Sequence, residues 1–583
     1  MVHDLFDNID MLALIKMPAV NQKTYEVNKR LKYKNKELLT VFIENIKFLY
    51  EEELEKVAET PIWDDEDWAY VLPDYNDPRY KLRYSYTFSE LVNWKNIGTY
   101  NEIRIGDLKL YSIFIDINLL LEMIEDNLHV TGNLDLRNNY MPILHENFIN
   151  KFTIGETLNL RETSLEILPN NFGEINIGNN IDLSWNYIVN LPGSIKDLKI
   201  NGYLDLSNNW IVVLSETFSG IKTNYLNLSY NKIERLPNSF WNINLRMLDL
   251  RHNYLKNLPE IFSQFKINLL DLSNNLLEEL PNSFWNINVD SLYLSNNHLK
   301  EIPEIYSELN IGDLNLSNNQ LEKLPNSFWN INVYDVLDLS YNKLKELPEI
   351  YSELNIGDLN LSNNQLEELP NSFWNINVDF LNLNYNYLKK IPEIYSEKTI
   401  GWLFLSNNQL KKLPNSFWNI NVSCELDLSY NQLEKLPNDL LNEFKNINLV
   451  KSLNLRNNLL ERLPNMFGNI CINGDLDLRN NILKKLPKEF GAIKVGRNMF
   501  LCYNQLKKIP LSFSKGIVGD SLYLTHNQID NLDSTFMDFK FGGVVDLSFN
   551  IGVFSGINKF SKKKLKKWFN CSDSDSVSDS DSD

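Results

Sequence analysis

The chain has 583 residues, and its 57 Lys and Arg residues are outnumbered by 76 Asp and Glu residues, which gives a net charge of −19. So acidic a chain is a poor binder of duplex DNA. At roughly 150 residues per domain it would form about four globular domains, unless it is built from repeats. Hydrophobic residues make up 43% of the chain, enough for a large core. About 86 residues, roughly 15%, are Asn, and this excess requires a structural explanation.

The cysteines and the first residues bear on the compartment. Cys424, Cys471, Cys502 and Cys571 form no CxxC pair, zinc spacing or disulfide framework, which favours a reducing compartment. Met1–Asp10 carries acids where a signal peptide is basic, and no apolar run approaches the length of a membrane span. We therefore predict an intracellular, cytoplasmic protein without a membrane span.

Residues 1–105 are predicted to form a small, mainly helical N-terminal region. Leu31–Ala58 has apolar residues at helical spacing with charges between them. Ile9–Tyr25 resembles the second half of an F-box, with Asp10, Leu12, Leu14, Val20 and Tyr25 at its acidic, apolar and aromatic positions. That resemblance implies docking to a ubiquitin-ligase adaptor. The alternative is a helical region that only covers the open end of the following repeats.

A repeat then occupies residues 131–555, preceded by a degenerate capping coil at 106–130 that includes most of Ile103–Ile113 (IRIGDLKLYSI). The pattern LxLxxN recurs in about 19 copies, mostly 22 to 24 residues apart. Its final residue is Thr163 in one copy, where we expect looser packing. In the others it is Asn139, Asn186, Asn209, Asn231, Asn253, Asn275, Asn297, Asn319, Asn342, Asn364, Asn386, Asn408, Asn431, Asn458, Asn481, Asn504, Asn527 and Asn550.

These residues resemble the leucine-rich repeat family, in the form LxLSxNxLxxLPxSFxxIN seen at Leu314–Asn332. Both Leu of each copy are expected to point into the core, because successive side chains of a strand face opposite ways. The resemblance implies an α/β solenoid, a leucine-rich repeat horseshoe of about 19 coils with a parallel concave β-sheet. It also implies that the closing Asn side chains bond backbone groups of their own and neighbouring coils.

The residue between the two Leu must point out of the concave face. It is Asp in nine copies, Asn in six and aromatic in four, namely Tyr293, Phe404, Phe500 and Tyr523, and it is never Lys or Arg. One interpretation is that Asp and Asn are merely tolerated at a solvated position. The other is an acidic groove that attracts a basic partner segment.

Aromatic residues form two groups on this face, and grouped exposed aromatics are typical anchors of protein interfaces. The larger predicted partner-binding group is Phe380, Tyr385, Tyr387, Trp402, Phe404, Asp427 and Tyr430, and the smaller is Trp185, Tyr187, Tyr203 and Trp210. Packing of these rings within the sheet is the alternative. A third set occupies one convex position and is predicted to be structural: Trp241, Trp285, Trp329, Trp374 and Trp418.

No catalytic motif such as GxxxxGK[ST], HExxH or GxSxG occurs. A column of single carboxylates one coil apart does not supply the converging oxygens that calcium needs. We therefore predict no enzyme activity, no metal site and no cofactor.

Residues 556–583 are predicted to form a tail that is first basic, at Lys559–Lys567, and then a disordered Ser/Asp-rich stretch. Ser572, Ser576, Ser578 and Ser580 each precede an Asp by three residues, which resembles casein kinase 2 acceptor sites. A purely solubilising tail is the alternative.

The duplications and the richness in Asn, Ile, Lys and Tyr resemble the leucine-rich repeat proteins of giant amoeba-infecting DNA viruses, which implies action in the host cytoplasm. The sequence favours a non-catalytic scaffold that binds a protein, with a basic segment as one candidate partner and no nucleic acid. A substrate receptor of a ubiquitin ligase is the alternative.

Overall fold

A computed structural model describes residues 128–551, with gaps at 262–264, 307, 396–397, 438–447, 450, 534–535 and 537, together with three short strands before them. The predicted helix over Leu31–Ala58, the F-box-like segment and the predicted tail at 556–583 lie outside the described residues. The chain divides into two compact units, Met1–Leu255 and Lys256–Asp583.

The first unit contains twelve described strands, one short α-helix and four 3-10 helices. The strands are β1 (Ser85–Thr87), β2 (Ile103–Ile105), β3 (Asp107–Lys109), β4 (Leu128–Val130), β5 (Leu134–Asp135), β6 (Phe152–Ile154), β7 (Thr157–Asn159), β8 (Asn176–Ile177), β9 (Asn180–Asp182), β10 (Tyr203–Asp205), β11 (Tyr225–Asn227) and β12 (Met247–Asp249). Helix α1 is Glu146–Lys151, and the 3-10 helices are Phe172–Glu174, Gly193–Asp197, Phe218–Gly220 and Phe240–Asn242.

All pairings in this unit are parallel. The main sheet runs β1-β3-β5-β7-β9-β10-β11-β12, and a smaller sheet runs β2-β4-β6-β8. Leu108 of β3 pairs with Leu134, the first Leu of the repeat pattern. The ladder thus includes two strands, β1 and β3, that precede the first LxLxxN copy.

The second unit contains eighteen described strands and seven 3-10 helices. The strands are β13 (Phe265–Asp271), β14 (Ile287–Tyr293), β15 (Leu309–Asn315), β16 (Ile331–Asp338), β17 (Leu354–Asn360), β18 (Ile376–Asn382), β19 (Lys398–Phe404), β20 (Ile420–Asp427), β21 (Asn448–Leu449), β22 (Ser452–Asn454), β23 (Cys471–Ile472), β24 (Leu476–Asp477), β25 (Lys494–Val495), β26 (Met499–Phe500), β27 (Ile517–Val518), β28 (Leu522–Tyr523), β29 (Lys540–Phe541) and β30 (Val545–Asp546). The 3-10 helices are Phe284–Asn286, Phe328–Asn330, Phe373–Asn375, Asn415–Asn419, Asn465–Asn469, Lys488–Ala492 and Leu511–Lys515.

This unit is also a parallel stack. Strands β13 to β20 pair in chain order and continue through β22, β24, β26, β28 and β30. A second sheet runs β21-β23-β25-β27-β29. Strands β13 to β20 are longer because their INV-like segment and their LxL segment form one continuous strand.

The sequence pattern explains the core. The two apolar residues of the LxL pattern are buried in nearly every copy, as at Leu403 and Leu405, while the residue between them is half-buried in most copies. On the return path a Phe is buried in nearly every coil. Trp285, Trp329 and Trp374 each donate a hydrogen bond from Nε1 to the carbonyl of a Pro in the return path of the next coil. Each of the five repeated Trp residues follows a Phe, and four of these pairs have ring centroids 5.0 to 5.3 Å apart in edge-to-face contact. Trp418 makes the same contact with Phe417 at 5.2 Å.

The closing Asn side chains link neighbouring coils. Nδ2 of Asn386 donates to the carbonyls of Leu361 and Leu383, and its Oδ1 accepts the N–H of Leu366. Equivalent bonds to two coils recur at Asn186, Asn209, Asn231, Asn253, Asn297, Asn319, Asn342, Asn364, Asn408, Asn431, Asn458, Asn481, Asn504, Asn527 and Asn550. Asn139 and Asn275 donate to Leu136 and Leu272 of their own coils. Buried backbone groups at the bend gain partners in this way.

The prediction of looser packing at Thr163 is wrong. Its side chain is fully buried, and its hydroxyl donates to the carbonyl of Leu160 at 2.8 Å. Asn186 of the next coil accepts the backbone N–H of Thr163 at 3.0 Å. A hydroxyl therefore replaces the amide within this coil.

Candidate recognition surface

The second residue of each LxLxxN copy lines one side of the main sheet, which we call the strand face. In all fifteen copies with Asp or Asn there, Oδ1 accepts a hydrogen bond from the backbone N–H two residues later, at 2.8 to 3.3 Å. The fifteen are Asp135, Asn159, Asp182, Asp205, Asn227, Asp249, Asp271, Asn315, Asp338, Asn360, Asn382, Asp427, Asn454, Asp477 and Asp546. This bond serves an N–H where the strand ends, so the polar column has a local structural cause.

The column is less acidic in its surroundings than the sequence suggested. It contains no Lys or Arg itself, but Arg137, Arg251 and Arg479 lie two residues after Asp135, Asp249 and Asp477 and pair with those carboxylates. Three of the nine Asp residues are thus neutralised within their own coils. The expected uniform acidic groove is therefore broken by these pairs.

Strand β20 and its neighbours keep a local excess of negative charge. Burial, followed by the charges of Asp427 and Asp475, raises the pKa of Glu425. Burial also raises the pKa of Asp427, with a further contribution from Asp477, against hydrogen bonds from Ser429 and Asn454 that lower it. A cation placed here would relieve repulsion among these carboxylates.

The fifth residue of each copy forms a second column, which the sequence analysis did not single out. All nineteen adopt the left-handed conformation, with φ between 51° and 57°. Nine are Asn, the residue type best suited to it after Gly. Nine others are aromatic or His: Trp185, Tyr230, His252, Tyr341, Tyr385, Tyr430, Tyr503, His526 and Phe549. The regular Asn-Asn ending of the pattern was the available signal, because it marks the rings as departures from the residue that the backbone favours.

The structure brings together Phe380, Trp402 and Phe404 of the larger predicted group. Phe380 pairs with Trp402 across β18 and β19, and the rings of Phe380 and Phe404 meet edge to face at 5.4 Å. Trp402 is 41% exposed and Tyr385 56% exposed. We call Phe380, Tyr385, Trp402 and Phe404 the aromatic patch.

The remaining members of that group lie around the aromatic patch. Trp402 pairs with Glu425 and Phe404 with Asp427 across β19 and β20, so two acids border the rings. Tyr430 follows β20, and its ring lies 5.6 Å from the Arg456 guanidinium. Tyr387 is half exposed, beyond the corner after β18.

The smaller predicted group is divided. Tyr187 and Trp210 are in ring contact at 5.0 Å, and the Lys232 ammonium lies 4.5 Å from the Trp210 ring. Trp185 instead has Arg161 over its ring at 5.7 Å. Tyr203 is half-buried in β10, where burial and then Asp182 and Asp205 raise its pKa. Trp185 and Trp210, two exposed rings of this group, therefore already have a cation of this chain over them.

Other predicted sites are limited by what the structure describes. Ser572, Ser576, Ser578 and Ser580 and the F-box-like residues lie outside the described residues. Among the described residues there is no group of three or more His, Cys, Asp or Glu side chains able to hold a metal ion. No helix in the described ranges is both long and apolar enough to cross a bilayer.

Within each unit, parallel coils are joined by an Asn ladder. Residues 202–255, 310–331 and 355–376 match models of the leucine rich repeat. These segments are similar to the leucine-rich repeat family. No curated protein matched the sequence.

Solved structures with this fold include YopM from Yersinia enterocolitica, which is 19% identical, with a TM-score of 0.50 over 87% of this chain and 96% of that one. A leucine-rich repeat protein of Leptospira interrogans is 24% identical, with a TM-score of 0.44 over 66% and 92% of the two chains. At this level of identity the likeness concerns the fold alone.

Proposed function

We propose that this protein is a non-catalytic recognition scaffold that binds a protein partner through the aromatic patch on the strand face. The carrying observation is that Phe404 and Tyr385 each occupy a position where the coil itself favours another residue. Fifteen coils place a hydrogen-bond acceptor where Phe404 stands, and nine place Asn where Tyr385 stands. The coil does not require the ring of Phe404, since the backbone N–H of Ser406 donates instead to Oδ1 of Asn384 in the preceding coil. Grouped exposed rings that local structure does not require are typical anchors of a protein interface.

The chemistry of the border favours a partner segment that combines apolar and basic residues. Trp402 and Phe404 offer ring surface, while Glu425 and Asp427 lie one strand away. Burial raises the pKa of both acids, with further contributions from Asp427 and Asp475 at Glu425 and from Asp477 at Asp427. A Lys or Arg of the partner would pair with these acids while its apolar residues cover the rings.

The test compares two full-chain variants of matched chemistry. The patch variant carries Tyr385→Asn, Trp402→Asp and Phe404→Asn, each the residue that other coils place at the same position. The control variant carries Val336→Asp on β16, in register with Trp402 three strands away, and Tyr341→Asn, at the corner two coils before Tyr385. Both should fold, because each new residue suits its place in the coil.

Affinity capture from expressing cells, with quantitative mass spectrometry, is the readout. Proteins recovered by the native chain and the control variant should fall at least about ten-fold with the patch variant, a loss of about 1.4 kcal/mol or more in binding. The recovery should also fall with added salt if the partner is basic. Equal recovery with the patch variant would place the binding surface elsewhere.

A further inference from the structure

A second aromatic surface lies on the last three described coils of the strand face. Phe500 and Tyr523, on β26 and β28, stack at 5.0 Å with an angle of 7° between the rings. At the adjoining corners Tyr503 stacks on His526 at 4.3 Å, and His526 stacks on Phe549 at 4.4 Å. We call these five residues the C-terminal stack.

The coil does not require these rings. Phe500 and Tyr523 stand where an Asp or Asn would accept the backbone N–H two residues on, and Tyr503, His526 and Phe549 stand in left-handed backbone that suits Asn. Phe549 is 73% exposed, and Ile551 beside it is 68% exposed. The stack is thus an exposed apolar surface made at the expense of local structure.

Several exposed rings on the strands and corners of this chain have a cation over them. Arg479, held by Asp477, lies 4.6 Å from the Phe500 ring. Trp185, Trp210 and Tyr430 each carry an Arg or Lys in the same manner. Asp546 pairs with Tyr523 across β28 and β30 and forms no ion pair within the described part of the chain. The C-terminal stack therefore offers both rings and a carboxylate to a further cation.

We propose that the C-terminal stack binds this chain's own basic segment, Lys559–Phe569 (KFSKKKLKKWF), which lies outside the described residues. The segment combines six Lys with Phe560, Trp568 and Phe569, so it matches both the rings and the acid. Seven residues lie between Ile551 and Lys559, and the eight steps from one to the other can span up to about 26 Å. Neighbouring strands are about 4.8 Å apart, so the whole stack is within reach.

Attachment through so short a connection favours this occupant over a free one. A tethered segment has an effective concentration in the millimolar range, well above that of a second copy in the cell. This inference goes beyond the proposed function, since the aromatic patch on β18 and β19 is a different surface.

The test places a photoreactive residue in the full chain by Trp568→p-benzoylphenylalanine and maps the crosslinked peptides by mass spectrometry. Crosslinks should concentrate on peptides that contain Tyr503, Tyr523 or Phe549. The variant Tyr503→Asn, His526→Asn and Phe549→Asn should lower their yield at least five-fold. The control change Tyr341→Asn should leave the yield unchanged, and all these variants should fold because Asn suits the corner.

Four outcomes would overturn the proposal. Crosslinks spread over the chain, or retained in the triple Asn variant, would show that the segment does not use the C-terminal stack. A mixture of isotope-labelled and unlabelled chains distinguishes the remaining case, because crosslinks between the two forms would make a second copy the occupant. Reversal of charge by Lys562→Glu, Lys563→Glu and Lys564→Glu should also reduce the yield, and an unchanged yield would contradict the role of the lysines. Affinity capture of a partner through the aromatic patch is measured separately, so failure of the proposed function and failure of this inference can be told apart.

Discussion

The Oδ1 atom of Asp427 accepts the backbone N–H of Ser429 at 2.8 Å, whereas Phe404, its in-register neighbour on β19, occupies the same place in the coil without an acceptor. The contrast separates two causes for the composition of the strand face. Asp and Asn serve the backbone, and the rings do not. A strand-face ring is therefore a better indicator of a binding surface than a strand-face acid.

The acceptor role of Asp427 predicts different results for two substitutions. Asp427→Ala removes the bond to Ser429 and should lower the free energy of unfolding by about 1 kcal/mol. Asp427→Asn keeps the acceptor and should not lower it. Chemical denaturation of both variants measures the difference, and equal losses would show that the charge, not the bond, is what the position needs.

The surroundings of Asp427 also predict that the stability of the fold depends on pH. The pKa of Asp427 is raised in the folded chain by burial and by Asp477, so folding favours the protonated form. The resulting penalty is absent below the ordinary Asp pKa and sets in as the pH rises through the raised value. Asp427→Asn should therefore match the native chain at low pH and have the higher Tm at pH 7. A Tm advantage that grows toward acid would reverse this assignment.

The Asn ladder predicts a large loss at Asn386. Asn386→Ala removes donors from the carbonyls of Leu361 and Leu383 and the acceptor of the Leu366 N–H. Leaving such buried groups unpaired should cost about 2–4 kcal/mol. Asn371→Ala, at an exposed position of the neighbouring return path, is the control and should change stability by less than about 0.5 kcal/mol. Similar losses of stability in Asn386→Ala and Asn371→Ala would show that the Asn ladder does not stabilise the fold.

The left-handed corner predicts a gain at Tyr341. This residue has φ of 53° and is more than half exposed. Tyr341→Asn should keep or raise the Tm, whereas Tyr341→Val, a β-branched residue, should lower stability by about 1 kcal/mol or more. Thermal unfolding of the two variants measures this difference. A higher Tm for Tyr341→Val than for Tyr341→Asn would contradict the preference of the left-handed corner for Asn.

Close packing of successive coils predicts opposite results at two glycines of the first unit. A Cβ on Gly178 would overlap the carbonyl of Gly155 in the preceding coil, while a Cβ on Gly193 would meet nothing within 4 Å. Gly178→Ala should destabilise by about 1–3 kcal/mol or more, and Gly193→Ala should be neutral or slightly stabilising. Hydrogen exchange at β8 should rise only in the first variant. Equal protection of the β8 amides in the two variants would mean that the backbone moves to accommodate the added Cβ at little cost in free energy.

Much of the fold could be predicted from periodicity, because each coil repeats the same demands: two buried Leu, a closing Asn and a return through Phe. Thr163 was misjudged because a hydroxyl can serve the carbonyl of Leu160 as well as an amide can. The strand-face acids were ambiguous because an Asp and an Asn make the same bond to the backbone. Only the structure shows that bond and the Arg residues that pair with three of the acids.

The candidate surfaces were harder to predict, because ring contacts between coils depend on register. The sequence grouped Trp185, Tyr187, Tyr203 and Trp210, but only Tyr187 and Trp210 are in ring contact. It identified Phe500 and Tyr523 as aromatic members of one column but not the C-terminal stack, in which each stacked pair of rings is 23 residues apart along the chain. The left-handed corner was the missing information, since it sets the rings of successive coils side by side.

Partner recovery by the patch variant, Tyr385→Asn, Trp402→Asp and Phe404→Asn, decides whether the aromatic patch is the binding surface. This variant should keep the Tm of the control variant, Val336→Asp and Tyr341→Asn, and lose at least about nine-tenths of the partner that the control recovers, a change of about 1.4 kcal/mol. Equal recovery by the two folded variants would contradict recognition through the aromatic patch.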